Sequence, residues 1–222
     1  MPRTLRHVFP GIPHHAIQRG NNRQPVFLDL QDRLYFLDLL KDQGKQYQTR
    51  LGAYCLMTNH IHLMIYPESR DGLINFMKMV AQLYSQRVNR KYKRTGKLWE
   101  NRYKIHIVDP GCAWVLARYI ELNPVRADMV SQPQDYQYSS ARAHWFGIQD
   151  KVLTEDILFG DRAGYKQYLT SGEAFSSKHL QEIRTATQQQ KVYGAPSFKK
   201  TIEQRFGVDM TVRRRGRPGN LK

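Results

Sequence analysis

Hydrophobic residues follow strand-like and helix-like spacings in turn along the first 130 residues of the chain. Short apolar runs bounded by turn residues predict three strands, at 12–19, 50–57 and 60–66. Leucines and aromatic residues that recur every three or four positions predict three helices, at 29–43, 71–92 and 111–123. A further strand or hairpin is predicted between the last two helices, at 96–109. This order predicts an α+β fold, in which helices pack against a mainly antiparallel sheet.

The periodic pattern weakens beyond residue 130. Residues 131–211 are predicted to form an irregular connection and a mostly helical extension, with short helices at 177–190 and 197–207. The last residues, 212–222, contain the run RRRGRP and form a basic tail. We therefore divide the chain into a main domain (1–130), a C-terminal extension (131–211) and a tail (212–222).

Basic residues greatly outnumber acidic ones. The 222 residues include 35 lysines and arginines against 19 acidic residues, a net charge of +16. Such an excess favours an anionic partner, and nucleic acid explains it more readily than a membrane surface does. No apolar run approaches a membrane helix, and the first residues lack the apolar stretch of a signal peptide. Cys55 and Cys112 are too few for a disulfide framework, so we expect a cytoplasmic, nucleoid-associated protein with no membrane partner.

Two histidines interrupt the apolar run CLMTNHIHLMIYP at residues 55–67. Residues two apart in a strand point to the same face, so His60 and His62 lie side by side. Their α-carbons are about 6.5–7 Å apart by strand geometry, close enough for two imidazoles to converge on one cation or phosphate. A structural zinc site needs three or four such ligands, so the pair alone is an incomplete site.

A tyrosine and an asparagine share one face of the helix that Pro124 ends. Tyr119 and Asn123 are four residues apart, which places them together on a helix surface. Tyr119 is a candidate nucleophile and Asn123 a candidate oxygen ligand or phosphate donor, although most of the 13 tyrosines are expected to serve packing. Glu121 points away from this face and is expected to be exposed to solvent.

A strongly cationic segment with interleaved aromatic residues lies between residues 82 and 104. It contains eight lysines and arginines and only one acidic residue, together with Tyr84, Tyr92, Trp99 and Tyr103. The charges alone would fit a solvated surface. The aromatic residues among them favour a groove that follows a phosphate backbone and stacks bases.

Several of these segments occur together in one known family. The motif HIH at 60–62, LARYIELNPVRA at 116–127, QRGNNRQPVF at 18–27 and NRKYKRTGKLWENRYK at 89–104 stand in the order found in that family. The chain resembles the REP-associated tyrosine transposases, which belong to the single-tyrosine HUH transposases. The likeness covers residues 12–130 well and the last fifty residues loosely, where the RRRGRP tail is also of the family's type.

The resemblance implies a fold, a reaction and a set of site residues. The fold is a ferredoxin-like antiparallel sheet with helices on one face, whose central strand carries the histidines. The reaction is cleavage of hairpin-flanked single-stranded DNA, in which a tyrosine becomes linked to the 5′ phosphate and a 3′-OH is released. Tyr119 is then the nucleophile, and His60, His62 and Asn123 are ligands of a divalent metal ion, Mg²⁺ or Mn²⁺.

The resemblance also implies the partner, which is single-stranded DNA with REP-like hairpins. The helical extension leads us to expect a monomer. The candidate DNA-binding residues are the cationic and amide side chains of the matching segments and of the tail, namely Arg19, Asn21, Arg23, Arg90, Lys93, Arg94, Lys97, Arg102, Arg214, Arg215 and Arg217.

Two other functions remain open from the sequence. An HxH metal-dependent hydrolase would use the same histidines, but it would need further His or Asp ligands and would leave the charge of +16 unexplained. A DNA-binding regulator on the same scaffold would bind without cleaving, although the presence of both histidines and the tyrosine argues against it.

Overall fold

The computed structural model describes residues 7–171 and 177–209, with residues 177 and 178 described by their backbone alone. Along the chain the core elements are β1 (His14–Arg19), α1 (Leu30–Gln46), β2 (Thr49–Leu56), β3 (His60–Pro67), α2 (Arg70–Lys91) and β4 (Lys104–Val108). The strands form a sheet in which β2, β3, β1 and β4 lie side by side in that order, all antiparallel. This βαββαβ order with this strand arrangement is ferredoxin-like, so the predicted fold class is confirmed.

The two long helices begin where their capping residues predict. The Asp29 side chain accepts a hydrogen bond from the Asp32 amide, and the Asp32 side chain accepts one from the Asp29 amide, which forms a capping box for α1. Ser69 caps α2 in the simpler way, by accepting from the Gly72 amide. Helix α1 runs three residues beyond its predicted end, because hydrophobic spacing does not mark helix ends, whereas α2 is shifted by only one residue from the predicted 71–92.

Alternate residues of β3 face two different cores. Ile61, Leu63 and Ile65 are buried among residues of α1 and α2. Met64, on the opposite face, packs with residues of the next helix, α3 (Ala113–Glu121). The sheet thus has α1 and α2 on one face, as predicted, and its histidine-bearing face is covered by α3 and by the C-terminal extension.

Helix α3 is held between a polar start and a proline. The Asp109 side chain accepts from the Gly111 amide and begins a short 3-10 turn, Pro110–Cys112, which leads into the helix. The helix ends at Glu121, and the chain makes one more helical turn, α4 (Asn123–Arg126), with Pro124 near its start. The single helix predicted over 111–123 is therefore a 3-10 turn, a helix and the start of a second one.

The C-terminal extension is mostly helical, as predicted. Its elements are α5 (Ala141–Phe146), α6 (Arg162–Thr170), α7 (Ser177–Gln189), the two-residue strand β5 (Val192–Tyr193) and α8 (Pro196–Phe206). Strand β5 adds to the sheet beside β4 and runs parallel to it. The predicted helices at 177–190 and 197–207 correspond to α7 and α8, whereas α5 and α6 were not predicted. None of the described helices is long and apolar enough to cross a membrane.

Glu121 does not lie in solvent, so that expectation was wrong. Its side chain is completely buried. One carboxylate oxygen accepts hydrogen bonds from Ser140 Oγ and His144 Nδ1, each at 2.6 Å, and the other accepts from the Tyr165 hydroxyl at 2.8 Å. Three donors from the extension replace the water that the carboxylate loses, and Glu121 thereby ties α3 to α5 and α6.

Candidate active site

The four residues predicted to carry the chemistry line one cavity of about 430 Å³. His60 and His62 come from β3, Tyr119 from α3 and Asn123 from the first position of α4. Because β3 and α3 lie against each other on the same face of the sheet, residues 57 positions apart in sequence reach one space. The predicted juxtaposition of the two histidines with the tyrosine is what the structure shows.

Both histidines have one ring nitrogen occupied and the other available. His60 Nδ1 lies 2.7 Å from Asn59 Oδ1, and His62 Nδ1 lies 2.9 Å from His15 Nε2. The Nε2 atoms form no hydrogen bond to the described residues, and the two rings are 5.0 Å apart between centroids. Metal-binding histidines commonly have this arrangement, in which a partner on one nitrogen orients the other toward the ion.

Burial keeps both rings neutral. Loss of hydration, with a smaller effect in the same direction from the nearby Arg19 charge, lowers the pKa of His60 to about 4. Burial likewise holds the pKa of His62 well below its usual value, with smaller effects from His60 and Arg126. Neutral imidazole is the form that binds metal ions, so the pair is ready for a cation at neutral pH.

Asn123 can supply an oxygen but not a negative charge. Its amide nitrogen donates to the carbonyls of Tyr119 and Ile120, each at 3.0 Å, so Oδ1 faces away from these carbonyls. Among the described residues, no group of three or more His, Cys, Asp and Glu side chains could hold a metal ion. The donor set is two imidazoles and one amide oxygen, which fits a divalent ion such as Mn²⁺ or Mg²⁺ that completes its coordination with oxygen ligands from water or phosphate.

Tyr119 is buried among rings and one guanidinium. Its ring meets His15 and His62 edge to face, with centroids 5.5 and 5.8 Å away. The Arg126 guanidinium lies 4.8 Å from the ring centroid, and its Nη2 donates to the Tyr119 carbonyl at 2.5 Å. These contacts fix the backbone and the ring of Tyr119 at the edge of the cavity.

Cationic side chains dominate the walls of the cavity. Arg19 of β1 and Arg102, two of the candidate DNA-binding residues, lie here, and Lys104 and Arg184 join them. Glu100 is the acidic residue of the lining. The residues that α7 supplies, Arg184, Thr187 and Gln188, show that the extension forms part of the site.

The other predicted DNA-binding residues that the structure describes are not part of the cavity lining. Asn21 and Arg23 belong to a short 3-10 turn beside the start of β3, where Asn59 Nδ2 donates to the Arg23 carbonyl. Arg90 is on α2, where it lines a separate surface depression. Lys93, Arg94 and Lys97 follow α2, and Arg214, Arg215 and Arg217 lie outside the described residues.

The aromatic residues of the cationic segment are mostly structural. Tyr84 is completely buried, and Trp99 and Tyr103 are only 8% and 6% exposed. Tyr84 donates its hydroxyl to the Val26 carbonyl, and Tyr92 donates to Asp32. The expected groove with these aromatic residues as base-stacking platforms is therefore wrong for Tyr84, Trp99 and Tyr103, whose faces are used in packing.

Three polar residues that surround the site were not predicted from the sequence. His15 and Arg126 contact Tyr119, and Arg184 reaches the cavity from the extension. The adjacent histidines in IPHHAIQR were a usable signal for His15, because its position on β1 places it on the same face as Ile17, which lines the cavity. No local pattern marks Arg184, since its approach depends on how the extension folds back.

A ferredoxin-like sheet with a His-hydrophobe-His pair facing a tyrosine on the helix after the last core strand is characteristic of the single-tyrosine transposases. The sequence model of the family described as "Transposase IS200 like" matches residues 9–123, just over half of the chain. The chain therefore belongs to this family. The match spans the sheet core and α3, and it ends at Asn123.

Two solved structures are similar to the chain, and the first of them shares its fold. The chain is similar to a REP-associated tyrosine transposase bound to a REP hairpin, with a TM-score of 0.56 and 18% identity, over 71% of this chain and 93% of that one. A putative transposase from Deinococcus radiodurans R1 is 20% identical, over 58% of this chain and 92% of that one, with a TM-score of 0.39. No curated protein matches the chain.

Proposed function

We propose that this transposase cleaves single-stranded DNA and rejoins it through a covalent bond to Tyr119. The observation that carries the proposal is the meeting of Tyr119 with His60 and His62 in one cationic cavity. The side chains of the cavity supply a nucleophile, a neutral pair of metal ligands and positive charge for the phosphate backbone.

The reaction conserves the energy of the bond that it breaks. The Tyr119 oxygen attacks phosphorus, the bond from phosphorus to the 3′ oxygen breaks, and the 3′-OH leaves with a proton while the phenolic proton passes to solvent. The DNA 5′ phosphate stays on the tyrosine, so a later 3′-OH can reverse the step on another strand. A divalent cation held by His60, His62 and Asn123 would polarise a nonbridging phosphate oxygen.

The DNA substrate is proposed to carry REP-like hairpins. The support is the fold likeness to a transposase bound to a REP hairpin. Arg19, Arg102, Lys104 and Arg184 would hold the phosphates next to the cleaved bond, since cation contacts with phosphate provide most of the affinity. Helix α7 of the same chain supplies part of the cavity lining, which supports a monomer that acts in cis. With DNA as its substrate, such a monomer would act at the nucleoid.

Each of the three segments of the chain has a proposed role. Residues 1–130 form the catalytic domain, and residues 131–211 form an extension whose described residues contribute to the cavity. The tail, 212–222, adds cationic contacts to DNA, including Arg214, Arg215 and Arg217.

The test is an adduct assay on labelled hairpin DNA. With Mn²⁺ or Mg²⁺, DNA labelled at its 3′ end should migrate with the protein in a denaturing gel, and DNA labelled at its 5′ end should yield a shorter free strand. Both products should vanish with EDTA and in the His62→Ala variant, which should still bind DNA. Binding without any cleavage would identify a regulator instead, and cleavage without an adduct would identify a hydrolase that uses water.

A further inference from the structure

A row of three buried histidines crosses the sheet behind the cavity. His62 on β3, His15 on β1 and His106 on β4 are 4%, 0% and 1% exposed, on three adjacent strands. The ring centroids of His62 and His15 are 5.2 Å apart, and those of His15 and His106 are 5.0 Å apart. Only His62 has a place in the reaction described above.

Each ring of the row is buried, and its hydrogen-bond partners among the described residues are another histidine or Thr187 rather than an acidic side chain, so nothing compensates a positive charge and the rings are neutral. A neutral imidazole has one nitrogen that donates a hydrogen bond and one that accepts. The nitrogen that carries the proton in one ring therefore constrains which nitrogen carries it in the next ring.

The far end of the row is fixed by α7. The Thr187 hydroxyl donates to the Ile183 carbonyl at 2.8 Å, so its hydrogen is already used. Its oxygen lies 3.2 Å from His106 Nδ1 and must accept there, which places the His106 proton on Nδ1. His106 Nε2 is then a bare acceptor, and it is buried with no hydrogen-bond partner among the described residues.

The cavity end offers two choices. His62 Nδ1 and His15 Nε2 are 2.9 Å apart, and one of them carries the proton. If His62 Nδ1 donates, its Nε2 is free to bind a cation, and His15 carries its proton on Nδ1. If His15 donates instead, His62 Nε2 carries a proton and cannot bind a cation.

The inner pair of rings decides between these choices. His15 Nδ1, like His106 Nε2, is buried without a hydrogen-bond partner in the described part of the chain. In the first choice the donor on His15 and the acceptor on His106 are complementary, and because the two rings are in edge-to-face contact, with centroids 5.0 Å apart, a small rotation of either ring can join them in a direct hydrogen bond. In the second choice both nitrogens are acceptors, so neither buried ring can satisfy the other, which is costly.

We propose that His15 and His106, anchored by Thr187 of α7, are positioning residues that hold His62 in the tautomer whose Nε2 can bind the cation. This inference rests on the proposed function, because it takes His62 as a metal ligand. It makes the docking of the C-terminal extension a condition for the readiness of the metal site, although α7 lies outside the segment that the family model matches.

The first test measures Mn²⁺ binding by calorimetry on the full chain without DNA. His15→Leu removes the acceptor and should weaken Mn²⁺ binding 10- to 100-fold, the usual effect of losing such a partner. His15→Gln can present an oxygen near the position of Nε2 and should restore binding to within about threefold of wild type, on the basis that it retains the hydrogen bond. A folded His15→Leu protein with wild-type Mn²⁺ affinity would overturn the proposal.

The second test reads the tautomer directly and needs no metal. Nitrogen-15 NMR of the metal-free protein should show His62 protonated at Nδ1. Thr187→Val, which removes only the hydroxyl, should convert this signal to a mixture of tautomers, and this variant also serves if His15→Leu does not fold. Protonation of His62 at Nε2 in wild type, or an unchanged signal in Thr187→Val, would contradict the proposal that the three histidines fix the tautomer of His62.

These two tests separate failure of the inference from failure of the proposed function. If His62→Ala binds Mn²⁺ as wild type does, the cation site is wrong, whereas the NMR result still decides whether the row fixes the tautomer. If His62→Ala loses Mn²⁺ binding and His15→Leu retains it, the cation site is supported and the positioning role of His15 is wrong.

Discussion

Arg126 contacts both the ring and the backbone of Tyr119. Its guanidinium covers the Tyr119 ring and donates to the Tyr119 carbonyl, and its Nη1 is buried with no hydrogen-bond partner among the described residues. Burial lowers the pKa of Arg126, and the nearby Tyr119 acts in the opposite direction. Arg126 thus brings a desolvated positive charge to the side of the nucleophile.

Replacing Arg126 with lysine should slow cleavage without unfolding the protein. Lysine keeps the charge, but it has neither the planar face that lies over Tyr119 nor the fork that reaches its carbonyl. The lost contacts are worth about 1–3 kcal/mol together, which corresponds to a cleavage rate lower by about 5- to 100-fold. Single-turnover cleavage measures it, with Arg142→Lys on the exposed side of α5 as the control. Equal rates for the two variants would remove Arg126 from the site.

The principal site residues were predictable because their signals are local. The pair His60 and His62 follows from strand alternation, and Tyr119 with Asn123 follows from helical spacing, while their meeting was implied by family resemblance. The roles of His15 and Arg126 were not predictable, since they depend on the register between β1 and β3 and on the turn after Pro124.

At the level of elements, the core of the sheet and its helices could be predicted, and the extension only in part. For long periodic segments such as α1 and α2, the hydrophobic spacing predicted both that they are helices and approximately where they begin and end. Helix α5 has only six residues, too few to show a helical period, and α6 has nine with two buried residues. The burial of Glu121 escaped prediction because its three donors come from residues 19–44 positions later in the chain.

The buried hydrogen bonds of Glu121 predict a marked loss of stability when its side chain is replaced by alanine. Glu121→Ala would leave the side chains of Ser140, His144 and Tyr165 without their buried acceptor and should lower the free energy of unfolding by about 3 kcal/mol or more. Glu121→Gln keeps one acceptor oxygen and should cost less than the alanine variant. Urea denaturation measures both changes.

Glu182 provides the control for this prediction. It is exposed on α7, so Glu182→Ala should change stability by no more than about 0.5 kcal/mol. A loss for Glu121→Ala as small as that control would mean that α3 and the extension are held together by apolar packing alone.

For the whole molecule, the net charge of +16 predicts DNA binding that weakens steeply with salt. Arg102 lines the cavity, so Arg102→Gln should lower the slope of log affinity against log salt by about 0.7, the value for one phosphate contact on a single strand. Lys41 is exposed on α1, which packs on the other face of the sheet, and Lys41→Gln should leave the slope unchanged. Equal slopes for the two variants would place the DNA elsewhere.

The buried histidines predict an acid-sensitive fold. His14 is completely buried, accepts from the Phe9 amide through Nε2 and binds the Ile12 carbonyl through Nδ1, and burial lowers its pKa to about 4. Above pH of about 6.5 the ring is neutral in both the folded and the unfolded chain and has no effect on pH dependence. Below that pH the unfolded chain takes up a proton that the folded chain refuses, so stability falls as pH falls, until the pH reaches the folded pKa.

The His14 ring alone should lower the free energy of unfolding by up to about 1.4 kcal/mol for each unit that the pH falls in this range. The buried His15, His62 and His106 act in the same direction. The urea midpoint of the metal-free protein should therefore drop between pH 7 and pH 5. His14→Gln should show a shallower dependence, because it removes one titrating group. A midpoint that is constant or rises toward pH 5 would show that these rings are not held neutral.

The most direct test of the central claim is to locate the covalent bond on the protein. Wild-type protein should be allowed to cleave hairpin DNA, and the adduct should be digested with nuclease and trypsin for mass spectrometry. The account predicts a nucleotide on the tryptic peptide from Tyr119 to Arg126, and no adduct from Tyr119→Phe, which keeps the ring that packs against His15 and His62. A nucleotide on any other tyrosine, or cleavage by Tyr119→Phe at the wild-type rate, would contradict it.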